Sequence, residues 1–359
     1  MVYKFDFSLP VVRNLQTIER VKERMSLTVL PPAIAEVLRI QTLVRSTHFS
    51  TAIEGNRLTL KETEMVVQQG RKIPGRSRDV QEVERYYKAL QQMEKWVEGE
   101  QAITETRIRS LHALLFSGRS SNPTPYRDGQ NVIREADGGI VYMPPEAGDV
   151  PVLMKELVGW ITQAKNEMPI PVVAGVAHYQ FETIHPFFDG NGRTGRMLTT
   201  WIMYQSGYDL GKFYTLEEFY AEDLRNYYNA LVTHPHHNYY LGRHEADITP
   251  WLEYFLEGMA VVFEQVSEQV RNEVLDGSTN QKVMEMLRPF DYRARRVLGL
   301  LNMQEHIQSA DVSNLLGISA RQARNLLSGW VEDGWLEVAN PSKRGRKYRL
   351  MDEYRLLLK

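Results

Sequence analysis

Apolar residues recur along most of this chain at intervals of three and four, the spacing that puts them on one face of a helix. Pro31-Pro32 open such a stretch, with Ile34, Val37, Leu38, Ile40 and Leu43 in period, running through His48 to Ser50. Gly55 and Asn56 are helix terminators, so Glu54 is predicted on the last turn, four residues from Ser50 and on the same face. A carboxylate there opposes the helix dipole and asks for a compensating cation elsewhere. Further helices are predicted over Thr59–Gln69 and Val80–Val97, with a basic loop 71–76 between them. Another opens at Thr104, with Ile108, Leu111, Leu114 and Leu115 in period. Leu153–Ala164, Val172–Phe181, Met197–Tyr204, Asp223–Leu231 and a stretch from Pro250 to about Gln269 complete the helical body.

Period-two signals are few. Val132-Ile133-Arg134 and Ile140-Val141-Tyr142 flank Asp137-Gly138-Gly139 and predict a β-hairpin. A lone hairpin is marginal in water, so it must pack on something. The polar run Asp276–Asn280 is the best domain break. After it come helices at Tyr292–Met303, Ser309–Leu316 and Ala320–Glu332. A strand at Trp335–Ala339, a basic turn Pro341–Lys347 and a strand at Tyr348–Leu350 follow. That order is the one found in a winged helix-turn-helix. Arg321, Gln322, Arg324 and Asn325 then lie early in the third helix, where base-reading side chains belong.

Composition narrows the classes. The 359 residues are 43% hydrophobic and 25% charged, with a formal charge of −2, which is globular and gives no global attraction to nucleic acid or membrane. There are no cysteines, hence no disulfide, thiolate metal site or cysteine nucleophile. Residues 1–10 lack the pattern of a signal peptide, and no apolar run reaches transmembrane length. A cytoplasmic protein without membrane contact is expected. His234, His236, His237 and His244 lack regular metal-ligand spacing.

The candidate chemistry is concentrated in thirteen residues, Ile184-His185-Pro186-Phe187-Phe188-Asp189-Gly190-Asn191-Gly192-Arg193-Thr194-Gly195-Arg196, set between two apolar helices. A tight turn leading into a helix N-terminus presents free N–H groups and a positive dipole end, a natural anion site. Gly190 and Gly192 admit close backbone approach, and Arg193 and Arg196 supply guanidinium forks suited to phosphate. Asp189 offers the hard oxygen that Mg²⁺ prefers, and His185 is the group able to take a proton near neutral pH. No Lys-Ser/Thr follows the glycines, which excludes a Walker loop.

The run His185–Arg196 resembles the Fic family signature HPFx(D/E)GNGRxxR and fills every defined position. Ser50-x-x-x-Glu54-Gly55 is similar to the family's inhibitory motif, (S/T)xxxE(G/N), in the subclass where it precedes the core. The resemblance implies a mainly α fold with a β-hairpin flap, followed here by a winged helix-turn-helix. The parts expected are an N-terminal helical region with the inhibitory helix over 1–100, a Fic core over 101–248, a connecting helix over 249–280 and the winged helix over 281–359.

What the family does is then an expectation for this chain. AMP passes from ATP to a hydroxyl of a protein side chain, the enzyme itself included, with Mg²⁺ held at Asp189 and His185 as general base. The nucleotide's phosphates fall to Gly190, Asn191, Gly192, Arg193, Thr194, Gly195 and Arg196. A Tyr-Tyr pair at the distance of Tyr227-Tyr228 lines the adenine pocket in the family; core packing is an equal alternative for it. Ile133 and Tyr142 belong to the flap, and Glu54 pairs with Arg196 to hold off the γ-phosphate. Removal of AMP, transfer of another phosphate-bearing group, and a DNA-binding nucleotide sensor stay open as alternatives. A homodimer and DNA contact through 281–359 also stay open.

Overall fold

The computed structural model describes residues 3–354 apart from 29, 31, 135–139, 276–289, 341, 343 and 344. The chain is mainly α. The first half is six helices: α1 Leu9–Ser26, α2 Pro32–Ile53, α3 Leu60–Gln69, α4 Ser77–Glu98, α5 Glu105–Ser117 and α6 Val150–Ala164. Their ends follow side-chain chemistry. Thr59 and Glu62 form a reciprocal capping box at the start of α3, and Gly70 closes it in the left-handed region. Thr104 caps α5, which ends at Gly118, again left-handed. The second half of the body holds α7 Ile170–Ile184, α8 Asn191–Gln205, α9 Leu216–Glu222, α10 Leu224–Ala230 and α11 Thr249–Leu275.

Helix α7 is the central element. It is apolar on every side and buried almost throughout, as expected of a helix wrapped by others. It packs against α6, α8 and α11. Gly175 makes the α11 crossing close: a Cβ there would come within 2.8 Å of Phe255 and 2.9 Å of Leu252. The Trp251 indole N–H donates to the Gly175 carbonyl at 2.8 Å. Helix α1 lies along α11, burying Val11, Ile18 and Val21. Ser8 both caps α1 and donates to Glu253.

Two differences from the expected boundaries matter for the site. Helix α7 runs on to Ile184, with His185 as its left-handed C-cap at φ 50°. Helix α8 starts at Asn191, so Arg193 and Arg196 lie in its first two turns rather than in a loop before it. The turn is tightened by Gly190, whose φ of 77° a side chain would resist. The sequence also missed α1 and α9. Helix α1 does carry the periodic signal, in Val11, Leu15, Ile18 and Val21, whereas the seven residues of α9 are too few to show one.

Strands β1 Ile133–Arg134 and β2 Ile140–Tyr142 pair antiparallel, Ile133 opposite Tyr142 and Arg134 opposite Ile140. The hairpin tip, Asp137-Gly138-Gly139, lies outside the described residues. The hairpin base is tied down: Met143 N–H donates to the His237 carbonyl at 2.9 Å, and Tyr239 N–H to the Met143 carbonyl at 3.0 Å.

The proposed break at Asp276–Asn280 also lies outside the described residues. Beyond it, α12 Tyr292–Met303, α13 Ser309–Leu316 and α14 Ala320–Glu332 are followed by β3 Leu336–Asn340 and β4 Lys347–Leu350, an antiparallel pair. These elements share an apolar cluster of their own, built on Val297, Leu301, Val312, Leu327, Trp330 and Trp335. Helix α12 rests on α2, and α13 on α3. No helix among the described residues is long and apolar enough to cross a membrane.

Candidate active site

His185 closes α7 through its N–H, which donates to the Phe181 carbonyl at 2.9 Å. Burial pushes its imidazole down to about 4; the Glu182 carbonyl, Glu54 and Asp189 pull the other way and Arg127 adds to the depression. At neutral pH the ring is therefore uncharged and able to accept a proton. Its Nδ1 is buried without a well-formed hydrogen bond and lies 3.9 Å from the Glu182 carboxylate.

The backbone under His185 is held by Arg127, a residue that no motif or spacing singles out. Its Nε donates to the His185 carbonyl at 2.9 Å, and its remaining nitrogens to the carbonyls of Ile184, Gly129 and Pro145. Its own N–H reaches the Pro186 carbonyl at 2.9 Å. One guanidinium thus ties the turn after α7 to both ends of the hairpin. His112 does the same for the other side of the turn. Its Nε2 donates to the Asp189 carbonyl at 2.8 Å, and its ring stacks on Phe187 at 3.8 Å.

The signature side chains divide into two sets. Asn191, Thr194 and Gly195 face inward. The Asn191 amide both donates to and accepts from Phe187 main chain, at 2.8 and 2.9 Å, and Thr194 donates to the Gly190 carbonyl at 2.8 Å. Gly195 clears space for Glu182, whose Oε1 would stand 2.4 Å from a Cβ there. Gly192 and Arg196 face a cleft of about 1240 Å³ that His185, Glu182, Ile133, Tyr142, Tyr227 and Tyr228 also line. Asp189 and Arg193 line a neighbouring, more polar recess with Glu54 and Glu82. Tyr227 is buried, and its hydroxyl meets the His178 ring at 2.9 Å; Tyr228 is half exposed and offers the aromatic face.

Each arginine already holds a carboxylate. Arg193 pairs with Glu82 of α4, which also accepts from Asn56 at 2.9 Å. Arg196, 3% exposed, donates to Ser50 Oγ, the Ser50 carbonyl and Glu54 Oε1, each at 2.9 Å. Burial works against its charge, but Glu54, Tyr227 and Tyr86 more than offset that, so its pKa is raised. Glu54 stands just past the end of α2, over the N-terminus of α8. A Cβ on Gly192 would lie 2.4 Å from Glu54 Oε1. The α8 anion site is thus occupied by a carboxylate of the same chain.

A profile of the Fic/DOC family matches residues 102–203, which include α5, β1, β2, α6, α7 and most of α8. The chain carries a Fic-family domain. A crystal structure of a Fic family protein from Desulfovibrio desulfuricans G20 superposes with a TM-score of 0.60 at 26% identity, over 98% of this chain and 99% of that one. Fic-1 of C. elegans (aa 134–508) shares the fold, with a TM-score of 0.57 at 22% identity over 73% of each chain. Among curated relatives named protein adenylyltransferase Fic, that of Drosophila ananassae is 26% identical over 198 residues, 55% of this chain. That of Drosophila grimshawi is 31% identical over 166 residues, 45% of this chain. The chain spans 39% and 33% of the lengths of these two relatives.

Mg²⁺ is the group that the resemblance to the Fic family leads one to expect here. Among the described residues no three His, Asp or Glu side chains cluster to hold a metal. Asp189 is a largely exposed carboxylate, its Oδ1 accepting from Gly190 N–H at 2.6 Å and lying 3.6 Å from Arg193 Nη2. One carboxylate beside an anion site is the donor set Mg²⁺ takes when phosphates supply the remaining oxygens.

Proposed function

We propose that the chain is a protein adenylyltransferase that moves AMP from ATP to a side-chain hydroxyl of a protein, itself included, and that Glu54 restrains it. The observation that carries this is a neutral His185 beside the N-terminus of α8, where Arg196 already grips an anion. The curated relatives named protein adenylyltransferase support the class of reaction.

The target oxygen attacks the α-phosphorus, its proton passes to His185 Nε2, and the bond to the β-phosphate oxygen breaks to release pyrophosphate. A proton on Nδ1, toward the Glu182 carbonyl, leaves the Nε2 lone pair for this task. Charge growing on the α-phosphate and pyrophosphate meets the N–H groups of α8 and Arg196. Mg²⁺, when bound at Asp189, neutralises phosphate charge. Tyr228, Ile133 and the wall beyond them would take the adenine and the target segment, the latter by strand addition to the hairpin edge. The Glu54 carboxylate stands where a γ-phosphate would meet Arg196, so ATP binds productively once Glu54 swings away. Residues 290–354 would serve as a winged-helix module, with Arg321, Gln322, Arg324 and Asn325 of α14 exposed. Incubation with Mg²⁺ and α-³²P-ATP or γ-³²P-ATP separates AMP transfer from phosphorylation: label from the first alone is expected, and label from the second alone contradicts the proposal.

A further inference from the structure

Glu182 is a buried acid in the cleft that the reaction above does not use. It sits one helical turn before His185 on α7, its carboxylate Oε2 3.9 Å from His185 Nδ1 and its side chain 13% exposed. Its Oε1 has no hydrogen-bond partner, and His185 Nδ1 has none of good geometry, only the pull of the Glu182 main-chain carbonyl. Buried polar atoms are almost always paired, so a carboxylate with one oxygen orphaned and the other 3.9 Å from His185 Nδ1 marks a contact that forms only at another stage of the work. The space for the acid is built in. Gly195 of α8 stands where any side chain would strike Glu182 Oε1, at 2.4 Å. Glu182 is also not spent as the counter-ion of Arg196, which bonds Ser50 and Glu54 instead.

We propose that Glu182 is a positioning residue for His185: its carboxylate receives the Nδ1–H of the imidazolium formed when His185 takes the hydroxyl proton. It rests on the adenylyl-transfer assignment for its place in catalysis, though not for the contact itself. The balance is simple. The target O–H bond breaks and an Nε2–H bond forms. The Nδ1 proton stays on nitrogen, and the 3.9 Å gap closes to a charge-assisted hydrogen bond. Glu182 therefore fixes the ring so that Nε2 faces the cleft, and it stabilises the charged ring more than the neutral one.

The surroundings give this contact a pH dependence. Burial pushes Glu182 up to about 8; Arg196 on α8 pulls it back and Glu54 beyond α2 pushes it further. Tyr227 and Tyr228 of α10 face it as neutral groups, their own pKa values raised by burial. His185 is faced by Arg127 and Asp189 as well as Glu54. Near neutrality the acid holds a proton and the imidazole does not. Above about pH 8 the acid is ionised and becomes the better partner for an imidazolium, so transfer should accelerate through that range.

Full-length wild type, Glu182→Gln and Glu182→Asp should be compared by ¹⁵N NMR of the His185 ring across pH 6–10 and by AMP transfer from Mg²⁺-ATP. We expect the His185 nitrogens of wild type to show a step near pH 8 that Glu182→Gln lacks and Glu182→Asp partly restores. The rise in kcat through that pH should vanish in Glu182→Gln, a loss of about tenfold above it, worth about 1.4 kcal/mol, with KM for ATP unchanged. A His185 titration in Glu182→Gln that superimposes on wild type would overturn the contact. An unaltered alkaline limb in kcat would overturn its role. If the NMR step behaves as expected while no variant transfers AMP, the contact stands and the transfer assignment is what fails.

Discussion

Arg193 and Arg196 on α8 are buried, and each holds a glutamate 111 or 142 residues earlier in the chain. Arg321 and Arg324 on α14 are exposed, and among the described residues neither has a carboxylate partner. Both pairs lie in the opening turns of a helix, where an anion is welcome. The difference is what an incoming phosphate must do. At α14 it meets exposed, hydrated cations, gains little and is screened by salt. At α8 it meets desolvated, fixed cations, gains much, and must first displace Glu54. Burial with an internal counter-ion thus makes a strong anion site and a closed one at the same time.

The sharpest way to break this contrast is to remove the chemistry from the buried side. His185→Ala should lower transfer by about 10²–10⁴-fold while ATP still binds, since the phosphate contacts lie on α8. Wild-type rates in that variant would remove His185 from the mechanism. The next largest effect should come from opening the closed site. Glu54→Gly should raise AMP transfer on the order of 100-fold, or about 2.7 kcal/mol of relieved restraint. Arg196→Ala, which loses the restraint and the phosphate contact together, should show no rise.

On the exposed side the expected effects are smaller. If α14 meets DNA phosphates, Arg321→Ala or Arg324→Ala should each reduce the salt slope of binding by about one in a gel-shift series, with transfer unaffected. Identical salt dependence in both variants and wild type would take these arginines out of any DNA contact. Smallest is a stability effect at Glu182. The folded chain keeps this proton up to about pH 8, whereas an unfolded chain loses it in the ordinary carboxyl range. The folded state therefore binds more protons between those limits, and stability falls as pH rises through them. Glu182→Gln abolishes that fall, so its Tm at pH 9 should exceed wild type by on the order of 2 °C; an equal or lower Tm would show that the acid is compensated in the fold.

The buried and exposed arginines also differ in how far the sequence could reveal them. The turn His185–Arg196 was legible because its residues are contiguous and its chemistry is local. The Glu54–Arg196 pairing was legible only through a short motif far upstream, supported by the oddity of a carboxylate at a helix C-terminus. The mainly α architecture and the hairpin followed from periodicity. Arg127, His112, Glu82 and Glu182 were not legible. Arg127 and His112 act on main-chain carbonyls, and Glu82 meets an arginine 111 residues away, so no spacing announces them. Glu182 did lie within an i, i+3 relation to His185, but that spacing alone names no chemistry; only the orphaned Oε1 and the room left by Gly195 give it a purpose. The inward turn of Asn191 and Thr194 was hidden for a related reason. A signature states which residue types a turn needs without saying which of them build the turn and which face its ligand.

The claim at the centre is that a neutral His185 and an anion site held shut by Glu54 together make an AMP-transferring centre. Intact-mass and peptide mass spectrometry of Glu54→Gly, and of Glu54→Gly with His185→Ala, after incubation with Mg²⁺-ATP tests it in one experiment. The account predicts that the single variant gains whole AMP units on Ser, Thr or Tyr hydroxyls, that wild type gains far fewer, and that the double variant gains none. Gain of a bare phosphoryl group, or equal AMP labelling of all three proteins, would contradict it.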